Sequence, residues 1–159
     1  MTIDDVLRLR TLSIRQPWAS MIITGSKTIE LRTWGTDYRG WLWIHCGKNV
    51  DADAMELLGH DAKEYQTGGL LGIAHLEEVR KIETPQEWQA LRSRHRSPSR
   101  FHEAVFGWHF SDTITLKKKY PSMGELGLFP LDAKTRDLMR ASLEGDFDFT
   151  DAIKSLPLV

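Results

Sequence analysis

The sequence predicts a fold of the α+β class: a small mixed β-barrel with flanking helices. Several segments alternate apolar and polar residues with the period of a half-buried strand, whereas helical patterns are few and short. These segments also lack the regular strand-helix-strand alternation of a doubly wound sheet. Because 159 residues are enough for one hydrophobic core, we expect a single domain over residues 1–159.

The first half of the chain is predicted to alternate short strands with two helices. Pro17 suits the first position of a helix because its missing N–H needs no partner there, and Gly25 suits the helix end. In the run from Gly40 to Cys46 the residues of both faces are mostly apolar or aromatic, so both faces are expected to be covered. The predicted elements are a strand over 11–14, a helix over 17–25, strands over 28–34 and 40–46, and a helix over 51–65.

The second half is predicted to contain a long strand, a capped helix and a basic loop. Thr84, Pro85 and Glu87 form the pattern of a helix start with a capping box. Residues 92–100 contain four arginines and no apolar residue, which indicates a mobile loop. The remaining predicted elements are strands over 70–82, 106–116 and 127–131, a helix over 134–143 and an acidic segment over 144–151.

Composition narrows the class of protein. The formal net charge of -1 and the pI near 6.6 show no overall basic excess, so any nucleic-acid contact must depend on local charge. The single cysteine, Cys46, excludes an intrachain disulfide framework and fits a reducing compartment. The apolar runs are too short to cross a bilayer and no signal peptide is visible, so we expect a cytoplasmic protein without membrane contact. The six histidines are scattered, so we expect no metal and no cofactor.

The most informative stretch is residues 25–34. Apolar residues there alternate with Glu30 and Arg32, so one face of the strand belongs to the core and the other presents charges of both signs. Lys27 leaves the preceding turn and can lean over the same polar face. An exposed ion pair is the simpler interpretation and contributes about 0 to 1 kcal/mol to stability. A binding cleft is the functional interpretation.

Three blocks of the sequence resemble the ASCH family. They are Leu12-Ser13-Ile14-Arg15-Gln16-Pro17-Trp18-Ala19, Gly25-x-Lys27-x-x-Glu30-x-Arg32 and Arg39-Gly40-x-Leu42-x-Ile44-His45, and Gly69-Leu70-Leu71-Gly72 continues the pattern. The resemblance covers nearly the whole chain. It implies a PUA-like β-barrel with a cleft beside the first helix, and a role in binding RNA or other nucleic acid. Some small relatives resemble amidohydrolases of N-acylated cytidine that use a threonine nucleophile, at whose position this chain has Glu30.

We therefore expect a cleft that binds RNA or single-stranded nucleic acid. Cationic side chains would contact phosphate, the carboxylate would accept hydrogen bonds from a base edge, and aromatic residues after the motif strand would stack on bases. Trp18 is expected in the core. The predicted binding residues are Arg15, Gln16, Lys27, Glu30, Arg32, Trp34, Tyr38, Arg39, His45 and Lys48.

Two other classes of function stay open at this point. If the protein is an enzyme, Lys27 and Glu30 are the predicted catalytic residues of an amidohydrolase acting on a modified nucleoside or of a ribonuclease. A module that binds a protein partner through its aromatic surface is the third class. The basic residues at 92–100 are either a solvated loop or an electrostatic arm for RNA.

Overall fold

The computed structural model describes residues 1–158 and contains one six-stranded sheet, in agreement with the predicted α+β class. The strand order across the sheet is β2-β5-β4-β3-β1-β6. Strands β1 and β3 are parallel, and every other neighbouring pair is antiparallel. The strands are β1 (Arg10–Gln16), β2 (Ile29–Arg32), β3 (Gly40–Val50), β4 (Gly69–Ile82), β5 (Val105–Pro121) and β6 (Leu128–Pro130).

Seven α-helices flank this sheet in the described part of the chain. They are α1 (Ile3–Leu7), α2 (Trp18–Ile23), α3 (Ala52–Leu58), α4 (Pro85–Ala90), α5 (Arg92–His95), α6 (Ala133–Glu144) and α7 (Phe147–Lys154), with a 3-10 turn at Ala62–Glu64. Thr84 accepts a hydrogen bond from the backbone N–H of Glu87, as the capping pattern predicts. Among residues 1–158, no helix has the length and apolar character that a membrane crossing requires.

The prediction of a closed barrel is wrong, because within residues 1–158 the edge strands β2 and β6 each pair with one neighbour only. Shifts in register along β4 and β5 mark irregularities that curl the sheet. The four residues of β2 pair with β5 alone, and β6 pairs with β1 only at residues 10–12. A seam therefore separates β1 from β2. The guanidinium of Arg32 spans it by donating to the carbonyl of Ser13 at 2.9 Å.

Strand β3 divides two hydrophobic clusters, one on each face of the sheet. Leu42 and Ile44 belong to a cluster that α2 covers, whereas Trp41 and Trp43 belong to a second cluster beneath α1, α6 and α7. This arrangement confirms that both faces of the run from Gly40 to Cys46 are covered. Burial of apolar area holds α2 against one face of the sheet and holds α1, α6 and α7 against the other.

Among the segments that differ from their sequence predictions, two bear on the core and the cleft. The acidic stretch after α6 forms helix α7, whose Phe149 and Ile153 are buried in the cluster around Trp43. The basic stretch 92–100 begins with helix α5 and is held by hydrogen bonds, so it is not a free loop. The Arg92 side chain donates to the carbonyls of Ser97 and Ser99.

Candidate functional site

A cleft of about 400 Å³ opens at the seam, where β1, β2 and the start of α2 meet. The predicted residues Arg15, Lys27, Glu30, Arg32 and Trp34 all lie in its lining. The structure thus brings together five residues that are separated by up to 19 positions in the chain. The other lining residues are Ser13, Trp18, Leu31, Thr33, Asp51 and Ser97.

Lys27 lies at the bottom of the cleft and is only 2% exposed. Gly25, with φ of 82°, ends the turn after α2, and the Lys27 N–H then donates to the Met21 carbonyl at 3.0 Å. This turn directs the lysine amine inward. Its Nζ donates to the carbonyl of His95 at 2.5 Å and lies 4.8 Å from the centre of the Trp18 ring.

Burial lowers the pKa of Lys27 from 10.5 to about 8. The nearby Glu30 carboxylate opposes this effect, since its Oε1 lies 3.6 Å from Nζ. Lys27 is therefore an ammonium ion at neutral pH that loses its proton more readily than an exposed lysine. An amine of this kind can hold a carboxylate in place or exchange a proton near pH 8.

Glu30 and Arg32 form a second ion pair, at 3.0 Å between Oε2 and Nη2. The same Nη2 donates to the Ser13 carbonyl, so both of its protons are used. The Nε of Arg32 is buried and has no hydrogen-bond partner among residues 1–158. The carboxylate is consequently held between two cations, and the Arg32 side chain is still 23% exposed.

The rim of the cleft combines an exposed cation with an acid that is held by hydrogen bonds. Arg15 is 63% exposed at its side chain, and its guanidinium lies 3.7 Å from Asp51. Asp51 also accepts from the indole N–H of Trp18 at 2.9 Å and caps α3 through the N–H of Ala54. Sequence reasoning missed Asp51 as a site residue, although its position as the N-cap after β3 was a usable signal.

The two indoles in the cleft wall are partly buried rather than free. Trp18 was expected in the core, but it is only partly buried: it packs against the cluster under α2 and also lines the opening. Trp34 stands edge-on to Trp108, with ring centres 4.8 Å apart and an interplanar angle of 80°. Each indole therefore presents one part of its ring to the cleft while the rest is fixed by packing.

Five predicted binding residues lie outside the cleft, and three of them are held by contacts elsewhere in the fold. Gln16 is fully buried, where its side chain hydrogen-bonds Ser20 and the carbonyl of Gln66. The Tyr38 hydroxyl donates to the Trp41 carbonyl, and the Arg39 guanidinium donates to carbonyls of its own loop. These contacts give Gln16 and Tyr38 structural roles and turn Arg39 away from the cleft.

His45 and Lys48 line a second cavity of about 360 Å³ on the other side of Ser13. The Nδ1 of His45 lies 2.8 Å from the Ser13 hydroxyl, and its Nε2 lies 3.0 Å from the Ser122 carbonyl. Burial lowers the pKa of His45, so the ring is neutral at pH 7. His45 and Lys48 are therefore near each other but are separate from the predicted residues that line the cleft.

The basic segment 92–100 forms part of the wall next to the motif. Arg94 donates to the Thr28 hydroxyl, Arg96 donates to the Ser26 carbonyl, and Ser97 lines the cleft. The buried ring of His95 positions the carbonyl that holds Lys27, since Nε2 lies 2.9 Å from the Trp88 carbonyl. Sequence reasoning missed His95 and Ser97, and their spacing offers no signal for this contact.

The fold and the cleft define an α+β domain with a curled mixed sheet and a polar site at its seam. A family model for the ASCH domain matches residues 12–122, which include every residue that lines the cleft. The chain belongs to the ASCH domain family, as its sequence blocks indicate.

Two curated relatives extend this finding. Over 135 residues the chain is 28% identical to activating signal cointegrator 1 of Homo sapiens and 30% identical to the same protein of Mus musculus. Each match covers 77% of this chain but 22% of the relative. The chain thus spans about a fifth of the length of the curated relatives it matches.

Solved structures support the same fold. The crystal structure of ASCH from Zymomonas mobilis has a TM-score of 0.60 at 13% identity, covering 85% of this chain and 95% of that chain. A serine-to-alanine mutant protein from the same organism gives 0.59 at 15% identity, with coverage of 87% and 97%. At these identities the comparison concerns the fold alone.

Proposed function

We propose that this chain binds RNA or single-stranded nucleic acid, with one nucleotide seated in the cleft at the seam. The observation that carries the proposal is the convergence of a cationic rim, a buried carboxylate between two cations, and two indole edges in one opening of about 400 Å³. This volume lies within the range of about 300 to 1,000 Å³ that is usual for small-ligand pockets. A single nucleotide fits such a volume, whereas a duplex does not.

The phosphate contact is assigned to the rim. Arg15 extends into solvent, and its pairing with Asp51 at 3.7 Å is longer than a hydrogen bond, so a phosphate can displace it. Arg32 adds the part of its guanidinium that Ser13 and Glu30 do not occupy. Together these groups attract a phosphate to the mouth of the cleft.

The base contact is assigned to Glu30. Its carboxylate is 6% exposed and accepts from Arg32 and from the N–H of Leu31 at 3.3 Å, which leaves acceptor capacity for a ligand. A carboxylate repels phosphate but accepts hydrogen bonds from exocyclic amino groups. The inner cleft therefore suits a base, and the indoles of Trp18 and Trp34 can contact its ring or the ribose.

The test compares two exposed arginines that the structure separates. Fluorescence anisotropy with labelled single-stranded RNA, single-stranded DNA and duplex is measured across salt for the wild type, Arg15→Ala and Arg39→Ala. We expect saturable binding of single strands, weaker binding by Arg15→Ala with a salt slope smaller by about 1, and no change for Arg39→Ala. Absence of single-strand binding at low salt, or equal losses in both variants, would overturn the proposal and favour a protein-binding module.

One observation favours a second candidate function, a hydrolase acting on a modified nucleoside or on RNA in the same cleft. Lys27 has a pKa of about 8 and a carboxylate 3.6 Å away, so its neutral form, which is populated near and above pH 8, can accept a proton from a water that Glu30 positions. Turnover of N-acylated cytidines and of labelled RNA is followed by chromatography in the wild type, Lys27→Ala and Glu30→Ala. Turnover that both variants lose would support catalysis, and binding without turnover in the wild type would exclude these substrates.

A further inference from the structure

We infer that the second cavity, lined by His45 and Lys48, holds the nucleotide adjoining the one in the cleft, so that the two openings form one track across β1. This inference rests on the proposed function of the cleft. The cavity measures about 360 Å³, close to the 400 Å³ of the cleft, as two like units require. No residue of the block from Gly25 to Arg32 lines this cavity.

Ser13 is the boundary between the two openings because it lines both. Its backbone carbonyl accepts from Arg32 at 2.9 Å on the cleft side, and its hydroxyl lies 2.8 Å from His45 on the cavity side. One residue of β1 therefore separates the two volumes. A nucleic-acid strand with one nucleotide beside Arg32 would reach the second cavity by passing over Ser13.

The hydrogen bonds of His45 fix its tautomer and the orientation of the Ser13 hydroxyl. The Ser122 carbonyl can only accept, so the Nε2 of His45 carries the proton and donates to it. Nδ1 then lacks a proton and accepts from the Ser13 hydroxyl. The serine oxygen keeps its lone pairs, which gives a ligand crossing the boundary an acceptor of fixed position.

Two glycines shape the cavity and keep it open to backbone contact. A side chain on Gly124 would place its Cβ 2.8 Å from the Ser13 hydroxyl and 2.9 Å from Cε1 of His45. Only glycine lets the loop approach the pair this closely. Gly47 leaves the facing side of the cavity without a side chain.

The charges and apolar groups around the cavity match a nucleotide. Lys48 is exposed at its rim and supplies a cation for phosphate. Met123 and Leu126, 80% and 100% exposed, supply apolar surface for a base or ribose. Glu125 is the opposing charge in this lining, and its carboxylate weakens phosphate binding until it is removed.

The experiment titrates the four nucleoside monophosphates and the corresponding homodinucleotides into the wild type, Lys48→Ala and Lys118→Ala by calorimetry. Lys118 is an exposed residue of β5 that lines neither opening. We expect at least one dinucleotide to bind about tenfold more tightly than its monophosphate, which is a gain of about 1.4 kcal/mol. Lys48→Ala should remove this gain and leave monophosphate binding unchanged, and Lys118→Ala should change neither.

A control that removes a negative charge sharpens the result. Glu125→Gln should strengthen dinucleotide binding only, and the His45 ring signals in NMR spectra should shift with dinucleotide but not with monophosphate. Equal affinity for both ligands in the wild type, or a gain that survives Lys48→Ala, would overturn the inference. Failure of every monophosphate and dinucleotide to bind would instead overturn the proposed function of the cleft.

Discussion

Replacing Glu30 by glutamine is expected to lower the pKa of Lys27 below its value of about 8. Burial is the main cause of the low value, and the Glu30 carboxylate is the main group that opposes it. Glutamine keeps the shape of the side chain but removes the charge. The ammonium ion would then face burial together with the like charges of Arg32 and Arg96, all of which favour the neutral amine.

The magnitude follows from the distance between the charges. At 3.6 Å, two unit charges attract each other by about 5 kcal/mol at an effective dielectric constant of about 20. Arg32 shares the same carboxylate, which reduces the part that acts on Lys27. Since one pKa unit corresponds to about 1.4 kcal/mol, we expect a drop of at least about one unit. The neutral amine still donates to the His95 carbonyl, so the fold should persist.

The assay is an NMR titration of the Cε signals of ¹³C-labelled lysines in the wild type and the variant. Glu83→Gln is the matched control, because Glu83 pairs with Lys81 at 3.9 Å on the exposed surface. It should leave the Lys27 titration unchanged. A wild-type Lys27 that titrates like the exposed lysines, or a pKa that stays the same or rises in Glu30→Gln, would refute the reasoning.

Three further predictions concern stability. The folded-state pKa of Lys27 lies below the 10.5 of the unfolded chain, so the unfolded state binds more protons between pH 8 and 10.5. The free energy of unfolding in urea should rise by about 3 kcal/mol across this window relative to Lys27→Met, and equal pH dependence would contradict this. Gly72→Ala would place a Cβ 2.2 Å from the Ile114 carbonyl, so it should cost about 3 kcal/mol or more, and a urea midpoint near that of the wild type would disprove the clash. Arg32→Lys replaces the planar guanidinium, which contacts both Ser13 and Glu30, by an ammonium group. It should lower the free energy of unfolding by about 1 to 2 kcal/mol and speed amide hydrogen exchange next to Ser13. Unchanged exchange would show that the seam does not depend on Arg32.

Local chemistry in the sequence predicted part of this fold well. The alternation in β3 separates two core faces because successive side chains of a strand point to opposite sides, and the cap at Thr84 needs only residues three positions apart. Helix α7 was missed because its acidic residues hide the apolar pair Phe149 and Ile153. That pair is stabilised by contacts with β3, about 100 positions earlier in the chain.

Only the part of the candidate site that depends on the alternation of one strand and on the adjacent turn could be predicted from the sequence. Alternation in β2 places Glu30 and Arg32 on one face, and the turn at Gly25 brings Lys27 beside them. The burial of Lys27 depends on the His95 carbonyl, 68 positions away, and no local pattern encodes that contact. Whether these side chains bind nucleic acid stays a prediction.

Within the described sheet β1 and β2 are not neighbours, so the Arg32 guanidinium links them across the seam by a side-chain contact and not through a ladder of backbone hydrogen bonds. A change of rotamer disturbs two contacts, whereas separating paired strands breaks one hydrogen bond after another. Loss of the Arg32 contacts would therefore loosen the seam without breaking any backbone hydrogen bond between neighbouring strands.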